Sequence, residues 1–301
     1  MEMDPPVRKP LIFDGMALPP FLPLRENAEK RFMEIRNLEC RKDDIILATY
    51  PKSGTHWIWE VVCMLIKGNT EYTKETKEFF FLEAIPDLDV VHNLPSPRPL
   101  NTHLPYRWLP KQLTEKGGKI INVIRNPKDV AVSMYHHLLS AGEFNKDFTF
   151  TQFMETLFFG PVCTMGSWYD YVKEFEQAAE NDKHGLLFTV HFENMKKNPI
   201  DETKRLAQFL NVEASDKFIE DIVEKCSFEN LKSADKTIKD QSIMKKIVGI
   251  GPEHTRKNKP NMYRKGVIGD WKNHFTVTLN ERFDRIFEDE MKNSKIHIHF
   301  E

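Results

Sequence analysis

The stretch that decides the fold is residues 45–57, which read IILATYPKSGTHW. Its first residues form a short, mostly apolar run without alternation, and such a run is typical of a strand buried on both faces of a sheet. Turn residues follow. A helical pattern then begins, which is expected to run from Thr55 to about Lys67 and to end at Gly68. The stretch therefore predicts a strand, a short loop and a helix.

The same order of strand and helix recurs twice further along the chain. Buried strands are expected at residues 119–124 (KIINVI) and 186–192 (LLFTVHF). An Asn-Pro pair follows each strand, at residues 126–127 and 198–199, which is the signature of a helix cap followed by proline at the first helical position. Strands that alternate with helices predict the α/β fold class, with a parallel β-sheet flanked by helices on both faces.

The predicted sheet also indicates where the chemistry lies. Ligands of open parallel sheets bind beside the carboxyl ends of the strands, so a site is expected just after Tyr50, Ile124 and Phe192. In the first of these loops, Gly54 lets the backbone approach a ligand and Lys52 adds a positive charge. The backbone N–H groups at the start of the next helix favour an anion. A plain strand–helix turn with a solvated lysine is the alternative.

This loop differs from the Walker A motif of kinases and nucleotide-hydrolysing enzymes. That motif is GxxxxGK[ST], with its lysine after the second glycine, whereas Lys52 precedes Gly54. No aspartate ends a predicted buried strand, where it could hold Mg²⁺. A small-molecule kinase is therefore only an alternative interpretation, and no metal is expected.

Composition limits the classes of function. Of the 301 residues, 40% are hydrophobic and 29% are charged, which is ordinary for a soluble globular protein. The 43 basic and 45 acidic residues give a formal net charge of −2, so nucleic acid is not an expected partner and any anion site must be local. No repeat or linker divides the chain. A single domain over residues 1–301 is expected, with an irregular, proline-rich N-terminal arm over residues 1–25.

Cysteine usage and hydropathy predict a cytoplasmic location. The four cysteines lie far apart, with neither a CxxC pair nor zinc-ligand spacing, which favours free thiols in a reducing compartment. The longest apolar stretch, about residues 57–66, is interrupted by Glu60 and is much shorter than the roughly 20 residues that a membrane helix needs. The first residues contain no apolar signal segment. No membrane partner is expected.

Three segments resemble the cofactor-binding segments of the cytosolic sulfotransferase family. Residues 49–57 (TYPKSGTHW) are similar to its 5′-phosphosulfate loop, residues 125–133 (RNPKDVAVS) to its 3′-phosphate segment, and residues 264–272 (RKGVIGDWK) to its RKGxxGDWK signature. The resemblance extends over about residues 44–281. It implies a P-loop-like fold that binds 3′-phosphoadenosine-5′-phosphosulfate (PAPS), in an enzyme of the EC 2.8.2 class that works without a metal.

The resemblance also assigns residues to PAPS. The loop would hold the 5′-phosphosulfate, a basic cluster and one hydroxyl would hold the 3′-phosphate, and aromatic rings would pack on the adenine. The residues assigned in this way are Lys52, Ser53, Gly54, Thr55, His56, Trp57, Arg125, Ser133, Phe192, Cys226, Phe228, Arg264, Lys265 and Gly266. Three of them depart from the usual family residues, because His56 and Cys226 replace threonines and Phe192 replaces a tyrosine.

Residues 101–105 (NTHLP) resemble the family's catalytic segment, which is commonly Lys-Thr-His-Leu-Pro. By that resemblance His103 is the general base, and its unperturbed pKa near the operating pH suits the role. Sulfonate would pass in line from PAPS to a hydroxyl, while Lys52 stabilises the charge on the leaving phosphate. Asn101 stands where many members carry lysine, so a cation that could help the transferring sulfonate is missing.

The resemblance describes the acceptor and the oligomer more loosely. Variable segments rich in aromatic and aliphatic side chains would form the acceptor pocket: Phe13, Phe21, and residues 79–85, 135–144 and about 243–250. A small apolar acceptor with a hydroxyl, such as a phenol, a steroid or another alcohol, is expected. Residues 272–281 resemble the family's KxxxTVxxxE motif, which implies a homodimer through Lys272, Thr276, Val277 and Glu281.

One further interpretation belongs to a different class of function. Asn101 alone suggests a nucleotide-binding protein that has lost catalysis. The presence of both Lys52 and His103 argues against it, and turnover with any acceptor would eliminate it.

Overall fold

The chain folds around a parallel sheet, and the computed structural model describes residues 11–75, 77–145, 147–160, 163–237 and 262–301. The first half forms strands β1 (Leu11–Phe13) and β2 (Met16–Leu18), helix α1 (Leu22–Arg36), strand β3 (Ile45–Thr49), helices α2 (Thr55–Lys67) and α3 (Asp89–His92), strand β4 (Pro99–Thr102), helix α4 (Gln112–Glu115), strand β5 (Lys119–Ile124) and helix α5 (Pro127–Ser140). The second half forms helices α6 (Phe150–Phe153) and α7 (Trp168–Glu180), strand β6 (Leu187–His191), and helices α8 (Phe192–Lys197), α9 (Pro199–Leu210), α10 (Asp216–Lys225), α11 (Phe228–Thr237) and α12 (Val277–Met291).

The central sheet has four parallel strands in the order β4-β3-β5-β6. In its register, Ile45 of β3 lies between Pro99 of β4 and Lys119 of β5. Every residue of β3 is buried, as expected for a strand that is covered on both faces. The predicted α/β fold with a parallel sheet is confirmed, and the carboxyl ends of all four strands lie at one edge.

The two faces of the sheet belong to two separate hydrophobic clusters. Along β3, Ile46 and Ala48 pack in one cluster together with apolar residues of α1, α5, α7 and α12. The alternate residues Ile45 and Leu47 pack in the other, with residues of α2, α9 and α10. Because successive side chains of a strand point to opposite faces, helices cover the sheet on both sides.

Most of the predicted elements form where the sequence places them. Helix α2 begins at Thr55 and ends at Lys67, and Gly68 closes it in the left-handed conformation with φ 68°. The side chain of Asn126 accepts a hydrogen bond of 2.9 Å from the backbone N–H of Lys128, which caps α5. The N–H groups of the first turn have no partner inside a helix, so this bond stabilises the start of α5.

Around the third predicted strand the expected boundaries are wrong. Strand β6 ends at His191, and Phe192 begins helix α8 instead of ending the strand. Asn198 joins α8 directly to α9, and its side chain makes no capping hydrogen bond. The residue adopts φ −131° and ψ 61° as the link between two helices, so its conformation is set by the junction rather than by capping.

Two elements, a hairpin in the N-terminal arm and strand β4, were not predicted from the sequence. The proline-rich arm contains an antiparallel hairpin of β1 and β2, whose turn residues Asp14 and Gly15 have φ values of 49° and 74°. Such two-residue turns match the twist of paired strands. The prolines before the predicted catalytic segment lead into β4, an edge strand that starts at Pro99. Proline is tolerated at the first position of an edge strand.

Within the described ranges, no helix has both the length and the apolar character needed to cross a membrane. In the same ranges, no cluster of three or more histidine, cysteine, aspartate or glutamate side chains could hold a metal ion. All four cysteines are buried and none forms a disulfide, which agrees with the prediction that no disulfide framework is present.

Candidate functional site

The loop between β3 and α2 brings backbone N–H groups to the carboxyl edge of the sheet. Lys52 and Gly54 both have positive φ values, 68° and 103°, and Gly54 lies in the cap position of α2 without any side-chain cap. A Cβ atom on Gly54 would lie 2.8 Å from the ring of Phe192, so only glycine fits here. The start of α2 is therefore open to an anion.

The side chains of the loop have different surroundings. Ser53 is completely buried, and its hydroxyl has no hydrogen-bond partner among the described residues. The hydroxyls of Thr55 and Thr49 share a hydrogen bond of 2.6 Å. The Nε2 atom of His56 lies 3.7 Å from a carboxylate oxygen of Glu78. Ser53, Thr55 and His56 are the three residues predicted to contact the cofactor. Among them, Ser53 offers the clearest unused hydrogen-bonding group.

Several cations meet beside this loop. Arg125, at the carboxyl end of β5, donates a hydrogen bond of 3.0 Å to the carbonyl oxygen of Lys52 and a longer one of 3.3 Å to that of Val267. Burial, and then repulsion by Lys77 and Arg125, lower the pKa of Lys52 to about 7. Burial likewise lowers the pKa of Arg125. Positive charges that are crowded in this way favour a bound anion.

The segment that follows residue 263 is attached to the same edge of the sheet. Both carboxylate oxygens of Asp129, in the first turn of α5, accept backbone N–H groups: Gly269 at 2.8 Å and Trp271 at 2.9 Å. A Cβ atom on Gly266 would lie 2.3 Å from the ring of Phe228, and Gly266 has a φ of 64°. This segment therefore packs closely on the start of α11.

The two basic side chains of this segment are paired with a carboxylate. Arg264 and Lys265 each donate a hydrogen bond of 2.6 Å to Asp270. Burial opposes ionisation of Asp270, but the hydrogen bonds from Lys265 and Arg264 hold its pKa below the usual range. Ser133 is half-buried on α5. The predicted 3′-phosphate residues thus come from β5, α5 and the C-terminal segment.

The aromatic residues predicted for adenine lie on two sides of the loop. The rings of Trp57 and Phe192 meet edge to face at 5.5 Å, and the guanidinium of Arg125 lies 4.3 Å from the centre of the Phe192 ring. Phe228 packs instead on Tyr263, at 6.1 Å. Tyr263 also lies 6.0 Å from the ring of His56. Sequence reasoning missed Tyr263, although it directly precedes the RKG signature.

Cys226 occupies a different environment from the other predicted cofactor residues. It is 2% exposed and ends α10. Its sulfur lies 3.8 Å from the sulfur of Met64 on α2. This thiol therefore contributes to the packing of α10 on α2.

His103 follows β4 at the same edge of the sheet. Its Nδ1 atom lies 2.7 Å from the carbonyl oxygen of Thr49 and 3.1 Å from the Thr49 hydroxyl. A carbonyl oxygen can only accept, so Nδ1 carries the proton and Nε2 keeps its lone pair. Burial, and then the charge of Lys77, lower the pKa of His103 to about 3. At neutral pH the ring is therefore uncharged, with its lone pair on Nε2. The pKa lies well below the unperturbed value expected from the sequence, because the charged form is buried beside other cations.

Two buried residues near His103 were not predicted from the sequence. Glu83 accepts the backbone N–H of His103 at 2.7 Å, and burial raises its pKa to about 7. Lys77 is 6% exposed, and its ammonium lies 4.7 Å from the centre of the Phe81 ring. Residues 71–78 read EYTKETKE, a pattern typical of a solvated segment, so the sequence carries no signal for the burial of Lys77.

Part of the predicted acceptor pocket lies beside His103. The ring of Phe81 lies 4.7 Å from the imidazole of His103, and the ring of Phe21 lies 5.6 Å from that of Phe81. Phe13 instead packs on Phe32, at 4.9 Å. Residues 135–144 form the last part of α5 and the turn after it, and residues 243–250 lie outside the described residues. One side of His103 is therefore lined by aromatic rings.

The residues of the predicted dimer motif lie at the surface. Val277, which begins α12, is 77% exposed. The hydroxyl of Thr276 accepts the backbone N–H of Leu279 at 3.2 Å and caps that helix. Lys272 pairs with Glu301 at 2.7 Å. Glu281 is exposed. Thr276 thus has a structural role of its own, whereas Val277 leaves an apolar side chain in solvent.

Comparisons with known proteins agree with this arrangement. A model of the sulfotransferase domain matches residues 42–295. Sulfotransferase 1E1 of Bos taurus is 33% identical over 286 residues, which cover 91% of this chain and 92% of that protein. Sulfotransferase 1E1 of Homo sapiens is 36% identical over 279 residues, which cover 89% of this chain and 90% of that protein.

Solved structures give the same result. Mouse sulfotransferase SULT7A1, complexed with PAP, superposes with a TM-score of 0.70 at 30% identity and covers 89% of this chain and 91% of its own. A retinol dehydratase in complex with androsterone and the inactive cofactor PAP gives a TM-score of 0.74 at 21% identity, covering 90% of this chain and 87% of its own. The second likeness concerns the fold alone. The match of the domain over most of the chain, with relatives about one third identical over some nine tenths of it, shows that this protein belongs to the sulfotransferase family.

Proposed function

We propose that this protein transfers the sulfonate group of PAPS to a hydroxyl on a small apolar acceptor, with His103 as the general base. The observation that carries the proposal is the hydrogen bond of 2.7 Å from Nδ1 of His103 to the Thr49 carbonyl. It leaves Nε2 free to accept a proton next to the anion-binding loop. A base within reach of a bound hydroxyl and an anion site beside it are the two parts that this reaction needs.

The residues of the loop fit a phosphosulfate group. The buried hydroxyl of Ser53, which has no partner among the residues described, is a donor for one of its oxygens. The open N-terminus of α2 supplies backbone N–H groups, and Lys52 supplies a positive charge. We assign the 3′-phosphate to Arg125, Ser133 and residues 264–266, and the adenine to Trp57, Phe192 and Phe228.

The reaction follows from these positions. The acceptor oxygen forms a bond to sulfur while its proton passes to Nε2 of His103. The bond from sulfur to the bridging phosphate oxygen breaks, and its electron pair leaves on PAP. Lys52 and the loop N–H groups stabilise the charge that develops on that oxygen. His103 then releases its proton to solvent.

The acceptor is proposed from the surface beside His103. The ring of Phe81 lies next to the imidazole, and the ring of Phe21 packs on that of Phe81. These aromatic rings favour an apolar body with one polar group at the reacting end. A phenol, a steroid or another alcohol has this character. An apolar wall of this kind also excludes water that would compete with the acceptor.

The location and the oligomer are also proposals. We infer a cytoplasmic protein, because four buried cysteines that form no disulfide suit a reducing compartment. We infer a homodimer through residues 272–281, because Val277 exposes an apolar side chain at the start of α12.

Calorimetric titration with PAP, with and without Mg²⁺, tests the function without any assumption about the acceptor. Micromolar or tighter binding that is indifferent to Mg²⁺ and lost in Arg125→Ala is expected. Binding that requires Mg²⁺, or no binding at all, would favour a kinase. Binding without turnover of PAPS against a panel of phenols, steroids and alcohols would mean that catalysis has been lost.

A further inference from the structure

A buried hydrogen bond connects position 101 to Lys77. Asn101 is completely buried, and its side-chain N–H donates a bond of 2.9 Å to the backbone carbonyl oxygen of Lys77. Asn101 is also the residue that stands where many sulfotransferases carry lysine. The side chain that replaces the family's cation therefore holds in place the backbone of another lysine.

The ammonium of Lys77 points into the region around His103. It lies 4.7 Å from the centre of the Phe81 ring, and the same ring lies 4.7 Å from the imidazole of His103. Both groups therefore contact the same ring. Lys77 is also the strongest charged influence on two of the proposed reacting residues, since its positive charge lowers the pKa of both Lys52 and His103.

The surroundings of Lys77 only partly neutralise its charge. The side chain of Lys77 is 6% exposed, and its Nζ atom lies 3.5 Å from Glu78 Oε1, which is longer than a good charge-assisted hydrogen bond. The same oxygen lies 3.7 Å from His56. The carboxylate that faces Lys77 thus has a second neighbour, beside a loop that already carries Lys52. A further anion at this place would be favourable.

Resting on the proposed function, we propose that Lys77 supplies the positive charge beside the transferring sulfonate, in place of a lysine at position 101. During transfer, the sulfur atom gains a bond to the acceptor oxygen and loses its bond to the phosphate oxygen. Negative charge stays on the sulfonate oxygens throughout. The Lys77 ammonium contacts one of those oxygens, while Lys52 stabilises the leaving phosphate oxygen. The acceptor proton still passes to His103.

The structural alternative is that Lys77 only forms an ion pair with Glu78. In that case removal of the charge would lower stability, and relocating a cation to position 101 would not restore the rate. The proposal predicts the opposite, because the sulfonate needs a charge at one place and two residues can supply it.

The test compares the kcat of three variants in a PAPS-dependent transfer assay. The PAP affinity and the melting temperature of each variant are measured as well. Lys77→Met should lower kcat about 10²-fold, which is typical for removal of one transition-state donor, while the Kd of PAP changes less than threefold. Lys74→Met, at an exposed position of the same segment, should behave as wild type. The double variant with Asn101→Lys and Lys77→Met should have a kcat at least tenfold higher than that of Lys77→Met alone.

Other results would overturn the inference. It fails if Lys77→Met turns over like Lys74→Met, or if kcat and PAP affinity fall equally. It also fails if Asn101→Lys gives no recovery in a folded double variant. Should Lys77→Met not fold, Lys77→Gln, which keeps a polar side chain, replaces it in both comparisons. Failure of the proposed function is distinguishable, because wild type itself would then neither bind PAP nor consume PAPS.

Discussion

Thr49 makes hydrogen bonds both to the imidazole of His103 and to the first residue of helix α2. The carbonyl of Thr49 orients Nδ1 of His103, and the hydroxyl of Thr49 bonds to that of Thr55, the first residue of α2. The position of the proposed base is therefore tied to the start of α2, where we propose that the phosphosulfate binds. This arrangement sets the tautomer and the direction of the ring before any substrate binds, so little reorganisation is needed during transfer.

We expect His103→Ala to lower kcat by about 10²–10⁴-fold, which is the usual contribution of a positioned general base. The affinity for PAP should stay near that of wild type, because the proposed role of His103 is to contact the acceptor and not the nucleotide. Steady-state kinetics and calorimetry check the two quantities separately. The matched control is His92→Ala, at an exposed histidine of α3, which should change neither. Equal loss of rate and nucleotide binding would mean that His103 supports the fold instead.

Among the elements, the β3–loop–α2 unit was the most predictable from sequence. Its structure depends on local signals: an apolar run, a loop that contains glycine, and Gly68 at the end of the helix. The bounds of α2 therefore match those predicted from the sequence. Strand β4 could not be predicted in this way, because four residues beginning with Pro99 pair only through contact with β3. The approach of Lys77 to His103 is likewise a tertiary effect. The motifs nevertheless indicated His103, Lys52 and Arg125, which the structure brings to one edge of the sheet.

Gly54 belongs to this unit, and its replacement tests how tightly the loop is packed. We expect Gly54→Ala to lower the free energy of unfolding by about 1–2 kcal/mol for the left-handed backbone. A further loss should come from the contact of its Cβ atom with Phe192. PAP binding should weaken at least tenfold, because the loop must shift. Denaturant unfolding and calorimetry provide the measurements.

Gly68→Ala is the matched control for this prediction. Gly68 also has a positive φ, but a Cβ atom there would meet nothing within 4 Å. Gly68→Ala should lower the free energy of unfolding by a similar amount for its left-handed backbone, and it should leave the PAP affinity unchanged. If both variants bind PAP like wild type, the loop tolerates a side chain at position 54 and does not contact the phosphosulfate closely.

At the scale of the whole molecule, the site is assembled from segments that are far apart in sequence. Asp129 at the start of α5 fixes the backbone of Gly269 and Trp271. The carbonyl of Phe300 accepts the side-chain N–H of Trp271 at 2.9 Å and that of Asn126 at 3.2 Å. The final residues thus hold the proposed 3′-phosphate segment against the sheet, and α12 leads from one to the other.

The surface of α12 gives a prediction about assembly. We expect Val277→Glu to convert the proposed homodimer to a monomer, because it places a charge in an apolar contact. Size-exclusion chromatography with light scattering measures the mass, and PAP affinity should be retained. The control Val90→Glu changes another exposed valine, on α3, which is 38% exposed, and should leave the mass unaltered. A wild-type protein that is already monomeric at micromolar concentration would contradict the proposal.

The pairing of Arg264 and Lys265 with Asp270 has a consequence for turnover. On the proposed assignment of the 3′-phosphate to these residues, an incoming nucleotide does not meet hydrated cations there but exchanges places with a resident carboxylate. The gain on binding is then the difference between two ion pairs, which moderates the affinity for the nucleotide. The same carboxylate recaptures both cations when PAP leaves. We therefore expect such an internal counter-anion to favour product release, a step that limits the rate of many enzymes.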